Sequence, residues 1–163
     1  MPPVLRRLAV LFAMVGGLAA CLVALLTVLS IAGRASMSMP IPGDVELTQF
    51  GIALSIALCL PWCQLGGSNI IVDFFTQRTS QATLGRLDGF GGVLLAAMVG
   101  VLAWRTTVGA FSVRSAQETT MILGLPMWWT YAVLAPGLAL TAVIALFQAH
   151  CRWRGIDVTV EPA

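Results

Sequence analysis

From Leu8 to Ile31 the chain carries no charged residue, and Thr27 and Ser30 are its only mildly polar members. As an α-helix rising about 1.5 Å per residue, this run reaches roughly 36 Å, enough to cross a hydrocarbon core of about 30 Å. Arg6 and Arg7 precede it, as basic residues precede the apolar part of a signal peptide. A cleaved signal, however, has an apolar region of only about 7–15 residues. The run therefore reads as a retained transmembrane helix.

Composition carries the reading to the whole chain. Of 163 residues, 58% are hydrophobic and 10% charged. A water-soluble domain has roughly 25% charged residues, so too few are present here to cover a wetted surface, and the apolar excess faces membrane lipid. Three further apolar segments follow, at about 47–65, 87–104 and 126–149. The expected fold is an all-α integral membrane protein, one domain over 1–163 with four transmembrane helices. The net charge is +2 and every basic residue is an arginine. With no basic run or basic-aromatic stripe, nucleic acid is not an expected partner.

The connections carry their own signals. Gly33 to Gly43, with Arg34, Pro40 and Pro42, reads as a short loop. Asp44 and Glu46 stand where acids complement a helix N-terminus. After Gly66-Gly67-Ser68-Asn69, the residues Ile70, Ile71, Phe74, Phe75 and Arg78 share one helical face, with Asp73 and Gln77 off it. Such a segment, about 70–78, is too short to span and suits a helix lying in the membrane surface. Thr106 to Gln117 reads as a weakly amphipathic linker. The last span is expected to begin at Pro126, because proline is favoured in a first helical turn. Pro136 and Gly137 then fall near the bilayer middle and should kink the helix or act as a hinge. Small residues recur every fourth position as Ala13-Gly17-Cys21, Gly16-Ala20-Ala24 and Gly92-Ala96-Gly100. Faces of this kind let helices approach closely in lipid.

Arginine counting gives an orientation. Four spans place both termini on one side, with Arg6, Arg7, Arg78, Arg86, Arg152 and Arg154, against Arg34, Arg105 and Arg114 on the other. By the positive-inside rule both termini are expected in the cytoplasm. Trp104, Trp128, Trp129 and Tyr131 would then form an outer aromatic belt, and Trp62 and Trp153 an inner one.

Little in the spans points to chemistry. Cys21, Cys59, Cys63 and Cys151 form no C-x-x-C pair and lie in or beside apolar runs, as small packing residues do. His150 stands alone, so neither a metal site nor a pair of haem ligands is expected. No acid or base occupies the middle of a span, where a proton-coupled exporter would need one. Glu46 and Glu118 lie at the same side, and Asp73 at the other. They serve either as dipole and solvation partners or as partners for arginines of this chain or another subunit.

Three stretches carry a family resemblance: PIPGDVELTQFG before the second span, GGSNIIVDFF after it, and ETTMILGLPMWWTYAVLAPG leading into the fourth. Their order and spacing resemble the small membrane subunit (DctQ-like) of tripartite ATP-independent periplasmic transporters, the TRAP family. Asn69 stands where family members often have histidine. The resemblance implies a multi-pass protein of the bacterial inner membrane, with no catalytic, metal or substrate site and no cofactor of its own. It further implies a scaffold for a large membrane subunit that holds the substrate and coupling-ion sites. Uptake of an organic acid would be driven by an ion gradient, usually sodium, with delivery by a periplasmic binding protein. Partner-contact or structural roles then fall to Glu46, Asp73, Glu118, Pro126, Trp128, Trp129, Pro136 and Gly137. A stand-alone four-span exporter or membrane enzyme is the alternative.

Overall fold

Each apolar run forms one long helix in a computed structural model that describes residues 2–37, 41–66 and 81–154. In chain order these are α1 (Pro3–Met37), α2 (Asp44–Leu65), α3 (Gln81–Ser115) and α4 (Trp128–Trp153). All four are long and apolar enough to cross a membrane. The protein is a multi-pass, all-helical membrane protein.

The helices run further than the apolar patterns alone indicate. Gly33 to Met37, expected as loop, completes α1, and Arg34 in its last turn complements the helix dipole. Thr106 to Ser115, expected as a linker, continues α3 instead. No proline interrupts it, and the Thr107 hydroxyl donates to the Ala103 carbonyl, so its polar atom is satisfied within the helix. Trp104, placed in the outer belt by sequence, consequently lies eleven residues before the end of α3. Pro126 does not open α4, which begins at Trp128 after Met127. The surface helix expected at 70–78 lies outside the described residues.

Lateral order follows from which helices touch. α3 lies along α4, α4 also meets α2, and α2 carries α1, giving the order α1, α2, α4, α3. The ion pairs Arg34–Asp44 and Asp88–Arg152 each join the end of one helix to the start of another, so α1 with α2, and α3 with α4, are antiparallel. Gln64 and Gln148 meet near the ends of α2 and α4, which therefore run parallel. The start of α1 and the end of α4 thus share one end of the bundle.

Large apolar side chains point outward on every helix, among them Leu18, Ile56, Met98 and Leu146, as lipid contact requires. Burial falls on small residues, on Leu58 and Gln148, and on a cluster of Ala9, Leu65 and Ile144, with Leu5, Trp62 and Leu140 against it. Of the two small faces on α1, the one containing Gly16 lies on α2. A Cβ there would meet Cys59 Sγ at 2.9 Å and the Ser55 carbonyl oxygen at 3.1 Å. Gly17, on the other face, has open space beside it. Gly92 faces Ala149 of α4, where an added Cβ would stand 3.1 Å from its methyl.

The tightest crossing joins α2 to α4. Pro61 lacks an N–H, which leaves the Ala57 carbonyl without its usual acceptor role in the helix ladder. Gly137 presents its bare Cα to that carbonyl, and a Cβ at this position would collide with Ala57 O. Gly137 is buried while Pro136 beside it is exposed. The Pro-Gly step of α4 thereby allows close contact at the point where Pro61 has freed an acceptor.

Candidate functional site

The end of the bundle opposite the start of α1 and the end of α4 is built around residues 116–127. α3 stops in a Schellman motif: Glu118 N–H donates to the Val113 carbonyl at 3.3 Å and Gln117 N–H to Arg114 at 3.2 Å. Gln117 takes the left-handed conformation this needs, at φ 53°. Such a conformation is uncommon for a residue other than glycine or asparagine, and its side-chain amide supports it by donating to the Arg114 carbonyl at 3.0 Å.

The chain then doubles back as a small hairpin. Met127 N–H donates to the Glu118 carbonyl at 3.1 Å, and Thr120 N–H to Leu125 at 2.9 Å. Thr119 and Pro126 form an antiparallel bridge. The Thr120 hydroxyl accepts from Leu125 N–H at 3.0 Å, and Gly124 turns the tip at φ +66°. Pro126 suits its place because a bridge position with its N–H turned away needs no donor.

Glu46 holds this tip from the first turn of α2. Its two carboxylate oxygens accept from Ile122 N–H at 2.8 Å and Leu123 N–H at 3.1 Å. These amides would otherwise lack a backbone partner, and charge-assisted bonds to them are stronger than neutral ones. Leu123 also leans on Gly43, where φ is +76° and a side chain would strike it. Asp44, two residues away, reaches the other direction: it accepts from the buried Ser30 hydroxyl and pairs with Arg34 at 3.2 Å. One turn of α2 therefore ties α1 and the hairpin together.

What the hairpin presents is apolar. Met121 is fully exposed and Ile122 is 62% exposed. Below them, Phe50, Leu54, Leu125, Pro126, Trp129 and Val133 line a cavity of about 150 Å³ between α2 and α4. Trp128 stands edge-on to Trp129, with ring centres 6.2 Å apart and planes at 87°. The Arg114 guanidinium lies 5.1 Å over the Trp128 ring, a cation–π contact linking the end of α3 to the start of α4.

The structure thus brings Glu46, Pro126, Trp128 and Trp129 to one end. Glu46 meets backbone amides rather than an arginine. Glu118 joins through its backbone, and its exposed side chain makes no hydrogen bond or ion pair among the described residues. Pro136 and Gly137 lie deeper, at the α2–α4 crossing, and Asp73 falls outside the described residues.

A second polar constellation, at the end where α2 and α4 finish, escaped the sequence reading. Gln148, 5% exposed, donates to the Gln64 carbonyl at 3.0 Å and accepts from the Gln64 amide at 2.9 Å. It also reaches the Leu65 carbonyl at 3.5 Å. Carbonyls at a helix C-terminus lack intrahelical donors, and Gln148 supplies them from a neighbouring helix. The signal was present: a glutamine inside an apolar run must find a partner. Among the described residues no group of three His, Cys, Asp or Glu side chains is placed to hold a metal ion.

A four-span bundle whose described polar side-chain contacts between helices lie at its ends is the architecture of a membrane component, and comparison with known families identifies which. Residues 23–155 match the family described as "Tripartite ATP-independent periplasmic transporters, DctQ component". The match covers most of the chain, and the protein belongs to this family as a small membrane subunit of such a transporter. No curated protein and no solved structure matches it.

Proposed function

We propose that this chain is a non-catalytic scaffold in a TRAP-type secondary transporter of the bacterial inner membrane. It holds a large membrane subunit in place for uptake of an organic acid, delivered by a periplasmic binding protein and driven by an ion gradient, usually of sodium. Substrate and ion sites belong to the large subunit, and both termini of this chain lie in the cytoplasm. The observation that carries the reading is the family match over residues 23–155.

Two structural features agree with it. No acid lies in the middle of a described helix, and a scaffold needs none there. The hairpin end is apolar at its exposed Met121 and Ile122, which suits a surface that meets another subunit. Affinity purification of the tagged chain should recover a larger many-span protein, and deletion should abolish both that complex and uptake. An active homodimer purified alone would establish the exporter or enzyme alternative instead.

A further inference from the structure

A cleft of about 150 Å³ opens between α3 and α4 at the end where α3 starts and α4 finishes. Asp88 and Arg152 face each other across its mouth at 3.7 Å, each side chain 27% exposed. That spacing exceeds a direct hydrogen bond, and neither side chain has a closer polar partner among the described residues. The guanidinium fork and the carboxylate therefore keep most of their bonding capacity. Gln148 lines one wall, but its amide is occupied by α2. Further in, the lining becomes apolar at Leu95 and open at Gly91, where an added Cβ would meet nothing within 4 Å.

From this arrangement we infer that the cleft binds one membrane aminophospholipid. Its phosphate would sit on Arg152, its ammonium on Asp88, and the first part of an acyl chain along Gly91 and Leu95. Charge complementarity selects this occupant. A guanidinium matches a phosphate in fork geometry, and a carboxylate takes N–H bonds from an ammonium. An anionic headgroup without an amine would satisfy Arg152 and be repelled by Asp88. Depth agrees: α4 is 26 residues long, about 39 Å at 1.5 Å per residue, so its end lies at headgroup level. Exposed Trp153 follows Arg152 there, in the setting where basic clefts between helices take lipid heads. Only the membrane-spanning fold is needed for this inference; the transport role is not.

The test is native mass spectrometry of the full chain, extracted in mild detergent with its accompanying subunits. Before extraction it is equilibrated with phosphatidylcholine vesicles containing either phosphatidylethanolamine or phosphatidylglycerol. Wild type should retain one phosphatidylethanolamine per chain in preference to phosphatidylglycerol. Gly91→Leu, which fills the slot on an open face, and Arg152→Gln should each lose that lipid. Asp88→Asn should keep a lipid but lose the preference for the amine. Equal retention by wild type, Gly91→Leu and Arg152→Gln would mean annular lipid only and overturn the site. No retention by wild type would do the same. Complete displacement by soluble phosphoethanolamine would show a headgroup site without a lipid requirement, and would also reject the proposal.

Discussion

Glu46 and Gln148 perform the same task at opposite ends of the bundle, and they do it with opposite chemistry. Glu46 is a partly exposed carboxylate that accepts from two amides of the hairpin. Gln148 is a buried neutral amide that donates to carbonyls at the end of α2. Each supplies what the neighbouring backbone lacks. The choice of charge follows solvent access: a carboxylate near water can keep its hydration while it accepts, whereas a buried unpaired charge is very costly. Charge is used where the side chain itself keeps access to water, and a neutral amide where the side chain is buried.

Exchanging the chemistry is the severest way to break this comparison. Gln148→Glu would turn an acceptor-only group toward carbonyls and bury a charge against them, a loss of about 3 kcal/mol or more. Thermal unfolding in detergent should show it as the least stable single variant; stability near wild type would mean that this end is wetter than the structure indicates. Gly137→Leu should follow, at about 1–3 kcal/mol, because overpacking must push α4 off the Ala57 carbonyl. Cysteine cross-linking between α2 and α4 should fall with it, and unchanged cross-linking would contradict the close crossing.

Two smaller effects sharpen the contrast at the hairpin. Glu46→Gln keeps one acceptor oxygen and removes the other. Amide exchange at Ile122 and Leu123 should accelerate more than anywhere else while global unfolding changes little. Uniform acceleration along α2 would show that Glu46 stabilises the whole bundle rather than the tip. Arg114→Ala should have the smallest effect, about 0.5–1 kcal/mol for an exposed cation–π contact, read as a change in Trp128 fluorescence. A larger loss would mean that the α3–α4 junction depends on more than this ring.

Much of the fold was readable because lipid solvation is a one-dimensional demand. A run such as Leu8–Ile31 must become a helix wherever it sits, and its length decides that it crosses. The ends were less readable. Thr106–Ser115 looks like a linker because its apolar residues thin out, yet nothing in it stops a helix once α3 has been nucleated upstream. Glu46, Trp128 and Trp129 could be singled out by type and position. That Glu46 would hold the hairpin was hidden, because its partners are main-chain amides and any residue has one. Gln148 and Asp88–Arg152 needed the order α1, α2, α4, α3, which no local pattern states.

By itself, the sequence determined that this protein lives in a membrane, crosses it as helices, and carries the motif order of a DctQ component. Only the tertiary structure decided that the stretch before α4 is a hairpin gripped by Glu46, and that Pro61 and Gly137 meet at one crossing. It also decided that Asp88 and Arg152 frame a cleft. The reason is physical: burial in lipid acts on each segment separately, while hydrogen bonds and close backbone contacts exist only between segments already brought together.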